Sequence, residues 1–552
     1  MAPDRRAAPA TGTDVLPATG TDVLVAGSGA AGLTAALAAA AGGARVLLAE
    51  RAAQAGGTTA LSFGRVWVPV NHHLAGDSPE AARAYLAGLF SERYPHMTEA
   101  FIAGAPEMAR FVERHAPLRF VPCAGYPDYH PSRPGASPGG RALDIAPVDL
   151  TSLTPLAAAV RTSPGHVPLT HAEWEEWRFP RRFDWALLDE RNRRGIRAGG
   201  TGLVAALLDG AVRAGVRVLT RTRLLRARLD QAGAIAGATL ANDGQVMDIG
   251  VSAVILATGG FDRDQELRAR FLPPPVAATG APPGNTGDGL RIAAAAGAQL
   301  ENTGQGWWMP MVEIPGLTIE GEPYYQSLIR ERALPRQIVV NGAGRRFADE
   351  ALPYNEFGKA MNQRDAAGGY PNRVAWMILD EGFRRKYTFP AARPGDTVPD
   401  WVLQAGSVAE LAAVTGADAS TLADTIGRWN RGCAAGADPE FGRGGNAYER
   451  FMGDPGAGPN PTLGPLDQPP YYAVRVLSGT IGTKGGPVTD ASARVLTASG
   501  APVPGLYAAG NAAAFWTADG YPGPGATLGI AMTMGYLAGC HAAAYARKPL
   551  EP

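Results

Sequence analysis

The stretch from Asp22 to Glu50 constrains this chain most. It reads Asp-Val-Leu-Val-Ala, then Gly27-Ser28-Gly29-Ala30-Ala31-Gly32, then an alanine/leucine run, then Arg-Val-Leu-Leu-Ala-Glu50. Two short apolar, β-branched runs flank a helix-length run, which predicts a β-turn-α-β unit. Gly27 permits the tight turn, Gly29 lets backbone approach a pyrophosphate, and Gly32 lets helix and strand pack closely. The helix opening at Ala30 and Ala31 offers free N–H groups and a positive dipole end to those phosphates. Glu50, followed by Arg51, ends the second strand where an acid can bind ribose hydroxyls. The pattern predicts dinucleotide binding; a Gly-rich turn that binds nothing is the plainer alternative.

A chain of 552 residues exceeds one ordinary domain and can bury a large core. Its formal net charge is zero and it has no basic block, so nucleic acid is not expected as a partner. No apolar run reaches the length of a membrane span, and the N-terminal arginine pair is followed by no apolar core. Neither an integral membrane segment nor a secretory signal is predicted. Cys123, Cys433 and Cys540 are odd in number and far apart, which suits a reducing cytoplasm rather than a disulfide framework. The cytoplasm is therefore the expected location, with association to a membrane surface left open. His72 and His73 are adjacent, so their side chains are expected to point apart. With no third ligand at a sensible spacing, no metal site is predicted.

Along the chain, residues 1–20 are rich in Pro, Ala, Thr and Gly and read as a disordered tail. Gly56-Gly57-Thr58-Thr59 can lie close to a flat cofactor and donate hydrogen bonds, or be an ordinary loop. A helical stretch is expected near 79–116. Residues 122–144 are loop-rich and carry Tyr126 and Tyr129, which could line a pocket or simply pack. Trp174, Trp177, Phe179, Phe183 and Trp185 cluster within 171–185. A satellite core under a long loop is the plainer reading of that cluster; a lid, a partner patch or a membrane-facing edge are the others. Val251 to Gly260 is an apolar strand ending in Ala257-Thr258-Gly259, the second half of a two-part flavin signature. No second GxGxxG is present, so no nicotinamide site is expected. Asn285-Thr286-Gly287-Asp288-Gly289 opens a helix, with Asp288 as a cap or a cofactor contact. Past about 303 the composition changes, and Ile338 to Phe347 reads as a strand, a tight turn and a second strand. The chain then returns: a strand runs into Gly510-Asn511, and Tyr521-Pro522-Gly523-Pro524-Gly525 opens the last long helix at Ala526, Thr527 and Leu528. That helix N-terminus can face a flavin and stabilise charge at its pyrimidine edge.

Together these motifs resemble the fumarate reductase/succinate dehydrogenase flavoprotein superfamily, and within it the 3-ketosteroid Δ1-dehydrogenases. The superfamily likeness rests on Gly27-x-Gly29-x-x-Gly32, Glu50, Gly56-Gly57-Thr58, Ala257-Thr258-Gly259-Gly260, Asn285 to Gly289 and Gly510-Asn511. The subfamily likeness rests on Pro127-Asp128-Tyr129, Leu352-Pro353-Tyr354-x-x-Phe357-Gly358, Gly482 to Gly486, and Tyr521-Pro522-Gly523-Pro524-Gly525. The resemblance implies an α/β chain: a Rossmann-like FAD-binding domain in two parts, 21–302 and 481–546, with an inserted α+β substrate domain at 303–480. It implies FAD contacts at Gly27, Gly29, Ala30, Ala31, Gly32, Glu50, Arg51, Gly56, Gly57, Thr58, Thr59, Ala257, Thr258, Gly259, Asn285, Asp288, Gly510, Asn511, Gly525, Thr527 and Leu528.

The resemblance also implies a catalytic set of Tyr129, Tyr354, Tyr521 and the Gly525 backbone N–H. Tyr521 and Gly525 would hold the ketone oxygen as an oxyanion site. Tyr354, as tyrosinate or nearly so, would take the C2 proton with a hydrogen bond from Tyr129, and hydride would leave C1 for the flavin. No histidine stands at the Gly56-Gly57 loop, so FAD is expected to be non-covalent. Arg330 and Arg332 are the nearest match to the dicarboxylate-clamping arginines of fumarate reductases. The resulting expectation is a desaturase of a 3-ketosteroid or another cyclic ketone, with an external acceptor such as a quinone. The alternatives are an ene-reductase running the same chemistry backwards and a flavin-loaded binding protein without turnover. The 150–198 segment is expected to bear on the choice of substrate.

Overall fold

The computed structural model describes residues 20–390 and 392–547. The tail expected at 1–20 lies, apart from Gly20, outside the described residues. The expected unit forms as strand β1 (Val23–Ala26), helix α1 (Ala30–Ala41) and strand β2 (Val46–Ala49). They belong to a six-stranded sheet whose order is Arg494–Leu496, Pro502–Ala508, Ala253–Leu256, β1, β2, Arg217–Leu219. All pairings are parallel except that of the edge strand Arg494–Leu496. Every residue of β1, β2 and Ala253–Leu256 is buried, as strands covered on both faces must be, which explains their unbroken apolar runs. Helix α1 is apolar all round because it too is covered. The last helix, Ala526–Ala546, crosses it closely: a Cβ on Gly535 would lie 2.4 Å from the Ala31 carbonyl oxygen.

A seven-stranded sheet forms the second unit. Its path runs Glu322–Ser327, Gly306–Ile319, Tyr471–Thr483, Ala375–Asp380, Gln337–Asn341. Two further strands, Val276–Thr279 and Leu403–Ala405, pair with Tyr471–Thr483. The sheet thus draws one strand from ahead of residue 303, and its long strand runs three residues beyond 480, carrying the chain back to the first unit. Two local expectations are corrected. Arg346 makes only an isolated bridge to Val340 rather than starting a second strand. Its guanidinium is instead buried on the carboxylates of Glu350 and Asp438, which turns the chain inward. His72 and His73 converge rather than diverge. Their Nε2 atoms meet the two oxygens of Glu113 at 2.7 and 3.0 Å, with ring centroids 4.0 Å apart. The chain turns here, with Val70 at φ 57°, so the alternation that separates neighbours on a strand does not apply. The third group comes from the helix Pro95–His115, remote in sequence.

Candidate active site

Loops at the carboxyl ends of the parallel strands make the first half of the site, where open α/β sheets bind ligands. A Cβ on Gly27 would lie 2.2 Å from the Ala257 carbonyl oxygen, and one on Gly32 2.0 Å from that of Gly27. The loops therefore touch backbone to backbone. Gly29 and Gly57 differ: a Cβ there would meet nothing closer than 3.5 and 3.7 Å. This bare backbone at the start of α1 fits the pyrophosphate of FAD. Glu50 accepts from Ser28 N–H at 3.1 Å, from Ser28 Oγ at 2.5 Å and from Ala52 N–H at 2.8 Å, so its carboxylate pins the turn. Ser28 Oγ in turn accepts from Gly56 N–H. Thr59 Oγ1 accepts from Ala30 N–H, and Thr58 Oγ1 from the Asn285 amide, against which Gly259 is packed. Thr258 Oγ1 accepts from Gly289 N–H at 3.0 Å and so braces a neighbouring helix. The Asp288 carboxylate is taken up by Arg223 at 2.7 and 2.8 Å and by Arg51 at 3.5 Å, which makes it a clamp between segments. Gly510 abuts Ala31, and Asn511 Oδ1 accepts from Trp307 Nε1 at 3.1 Å.

The three tyrosines of the sequence reading come together although they lie far apart along the chain. Ring centroids of Tyr129, Tyr354 and Tyr521 are 5.4–5.6 Å apart, all edge-on. Tyr354 donates to the Tyr521 hydroxyl at 2.6 Å, and Thr527 Oγ1 donates to the same oxygen at 3.1 Å. Thr527 therefore serves the tyrosines. Gly525 caps the last helix at φ 90°, and a Cβ there would lie 2.3 Å from the Arg65 carbonyl oxygen, so only glycine fits.

Buried polar links fix this geometry. Tyr129 N–H donates to the Pro522 carbonyl at 3.0 Å, tying the first tyrosine loop to the third. Asp128 accepts from Trp67 Nε1 at 2.7 Å and from Arg141 at 2.8 Å, and Arg141 also pairs with Asp77. Trp67 N–H reaches the Gly525 carbonyl at 3.1 Å. Tyr354 starts the helix Tyr354–Met361, and its neighbour Asn355 bonds to both Trp308 N–H and the Asp519 carbonyl. Lys484 donates to the carbonyls of Ala518 and Gly520, each at 2.8 Å, holding the turn before Tyr521.

Burial pushes the Tyr354 hydroxyl well above the usual phenol range, and Tyr521 adds to this while Tyr129 pulls it back as a hydrogen-bond partner. Tyr354 at rest is thus a phenol rather than a tyrosinate, and its hydroxyl is bonded to no cation among the described residues. Burial raises Tyr129 well above the phenol range too. Arg330 and Arg332 are not free clamps. Arg330 donates to the carbonyls of Met452, Arg178 and Gly453, and Arg332 to those of Leu328, Glu350 and Leu352.

Tyr448 and Trp307 escaped the sequence reading as wall residues, whereas Tyr126 was named there as able to line a pocket or simply pack. Tyr448 lies 5.0 Å from Tyr129, and Trp307 lies 4.8 Å from Tyr521, centroid to centroid. Tyr126 stacks on His171 at 5.2 Å and faces Phe451 at 5.0 Å. The aromatic segment 171–185 is divided. His171 and Trp174 pack on Tyr126 and wall the site, while Trp177, Phe183 and Trp185 cluster outside it, half-buried. Spacing within a loop carries no signal for such cross-chain packing.

Comparison with known proteins identifies relatives of this chain. A family model described as FAD binding domain matches residues 22–528. A 4-oxocyclohexanecarboxylate 2-dehydrogenase of Sinomonas cyclohexanicum is 40% identical, covering 93% of this chain and 91% of the relative. A 3-oxosteroid 1-dehydrogenase of Mycobacterium tuberculosis is 36% identical, over 95% of this chain and 98% of its own length. A crystal structure of 3-ketosteroid Δ1-dehydrogenase from Sterolibacterium denitrificans, in complex with 1,4-androstadiene-3,17-dione, superposes with a TM-score of 0.89. The two sequences are 35% identical, over 95% of this chain and all of that one. No helix among the described residues is long and apolar enough to cross a membrane. The chain belongs to the FAD-binding-domain family, as an FAD-dependent oxidoreductase of the 3-oxosteroid 1-dehydrogenase type that acts on the CH–CH bond beside a ring ketone.

Proposed function

We propose that this enzyme desaturates a cyclic ketone between its α and β carbons at the Tyr129–Tyr354–Tyr521–Gly525 cluster. The observation that carries the reading is the convergence of three buried tyrosines on the glycine-capped start of the last helix. Tyr521 is held by the Thr527 hydroxyl and can turn its own proton toward a ketone oxygen, with the Gly525 N–H as second donor. Charge that develops on that oxygen acidifies the adjacent carbon. Tyr354 receives the proton from that carbon, and Tyr129 stabilises the oxygen that accepts it. Because Tyr354 rests protonated, its own proton must leave before or as the substrate proton arrives, so turnover should rise with pH toward the raised titration of that hydroxyl. The packed tyrosine, Trp307 and Tyr448 rings keep water from the carbanionic centre. FAD, held non-covalently in the Gly29–Gly57 cradle, supplies the acceptor for the hydride lost from the β carbon. A quinone-class acceptor would reoxidise it, since the chain carries one GxGxxG only.

The test is anaerobic mixing of the FAD-loaded protein with 4-androstene-3,17-dione and, separately, with 4-oxocyclohexanecarboxylate. Bleaching of the flavin with formation of the conjugated enone supports the reading. Failure to bleach with either, together with reoxidation of chemically reduced enzyme by an enone, would assign the opposite, reductive direction.

A further inference from the structure

His72, His73 and Glu113 meet outside both the flavin cradle and the tyrosine chamber. Two adjacent histidines are too few ligands for a metal, and the helix Pro95–His115 supplies the third. The ligand atoms of the three side chains all lie within 4.8 Å of one another. Among the described residues no other group of three histidine, cysteine or carboxylate side chains converges so closely. Both imidazoles present Nε2 to one carboxylate, His72 at 2.7 Å from Oε2 and His73 at 3.0 Å from Oε1. Zinc bonds of about 2.0–2.1 Å to nitrogen and oxygen set tetrahedral ligand atoms about 3.3 Å apart. The three groups need spread only slightly to admit such an ion.

Neighbouring bonds hold these ligands in place. Phe120 N–H donates to Glu113 Oε1 at 2.9 Å. His73 N–H donates to Asn71 Oδ1 at 3.1 Å, and the buried Asn71 amide donates to the carbonyls of Val68 and Gly140. Val70 N–H donates to Asp77 at 2.8 Å. The loop that presents the imidazoles is therefore built in advance, which lowers the ordering cost of binding. The side chains of His72, His73 and Glu113 are 25%, 21% and 16% exposed, so an ion can reach them from solvent. Hydrogen bonding alone is the rival account. It requires Nε2–H on both rings, whereas a metal requires Nε2 bare and the proton on Nδ1.

We propose that His72 Nε2, His73 Nε2 and the Glu113 carboxylate bind a zinc-class divalent ion, with water completing the coordination on the exposed side. Two imidazole nitrogens and one carboxylate suit zinc and its transition-metal neighbours, while magnesium and calcium prefer oxygen ligands. Each ring binds as the Nδ1–H tautomer, so neutral imidazoles take up the ion with no net change in protons. The ion staples the 70–77 loop to the helix Pro95–His115. That loop bears on the tyrosines, because Asp77 pairs with Arg141, which pairs with Asp128 beside Tyr129. The site strengthens the frame of the chamber without touching the reacting atoms.

The experiment titrates zinc into the FAD-loaded, chelator-stripped protein by calorimetry and records Tm with and without the ion. One ion should bind per chain, and zinc should raise Tm where magnesium does not. His73→Ala and Glu113→Gln should each weaken binding by more than about a hundredfold, beyond the cost of losing a group that merely orients a ligand. Both should lose the zinc-dependent rise in Tm. Flavin absorbance per chain certifies that each variant is folded. His72→Ala, on the most exposed of the three side chains, repeats the test where packing is least disturbed. No uptake of zinc by the wild-type protein overturns the proposal and leaves a hydrogen-bonded trio. Uptake that survives all three substitutions overturns it too, by placing the ion elsewhere on the chain.

Discussion

The cofactor cradle closes on backbone, with Gly27, Gly32 and Ala257 in contact where no side chain fits. The tyrosine chamber closes on side chains, with Tyr129, Tyr354 and Tyr521 delivered by three remote segments. The cradle's precision comes from strand register: Val23 is opposite Ala253 and Val46 at once, so the loops that follow the three strands emerge side by side. The chamber has no such shared frame. Its alignment depends on Asp128 between Trp67 and Arg141, on Lys484 under the 518–520 turn, and on Tyr129 N–H bound to Pro522. One region is therefore intolerant of added volume, and the other of lost polar contacts.

Substitutions can break this contrast. The largest effect is expected of Gly32→Ala, whose methyl would lie 2.0 Å from the Gly27 carbonyl oxygen. The protein should purify without FAD, as read by flavin absorbance per chain; full occupancy would contradict a backbone-closed cradle. Asp128→Asn should keep FAD yet lower stability by about 3 kcal/mol, the scale of a broken buried ion pair, and slow turnover by loosening Tyr129. Denaturant melts and steady-state rates measured together check it, and FAD loss in step with activity would deny the separation of the two regions.

A smaller effect sharpens the comparison from outside both regions. Burial, and then the charge of Glu449, push Asp349 up to about 8. Its folded pKa thus lies above its unfolded one, so the native state holds a proton that the unfolded chain lacks between about pH 4 and pH 8. Stability contributed by that proton is present at the acid end of the window and is lost as pH rises through about 8. Wild-type Tm should fall across this range more steeply than that of Asp349→Asn, while the FAD content of both stays constant. Parallel curves would remove Asp349 from the account.

The same contrast decides what the sequence could reveal. The cradle was legible because its parts are contiguous: a turn, a helix and an acid in one stretch, with Ala257-Thr258-Gly259 as a second contiguous signal. Even there, the sequence did not disclose that Asp288 binds Arg51 and Arg223, since nothing local pairs residues so far apart. The tyrosines were legible only through the motifs around them. Their neighbours Tyr448 and His171 sit in segments without a motif and reach the chamber by tertiary packing. His72 and His73 fail for the same reason, because Glu113 arrives from a helix whose docking no local pattern encodes. The resting state of Tyr354 was not legible either, since it depends on burial and on the neighbouring tyrosines that packing brings to it.

The central claim, that Tyr354 takes the substrate proton within an otherwise intact flavin site, is tested most directly by Tyr354→Phe. Anaerobic flavin reduction by a ring ketone would be followed in the wild-type and variant enzymes at matched FAD content, across a rising pH series. The account predicts that the variant binds FAD normally but reduces it about a thousandfold more slowly, within the range set by loss of a general base. The wild-type rate should climb with pH, and the variant's should stay flat. Flavin reduction by the variant at the wild-type rate, with the same pH profile, would contradict it.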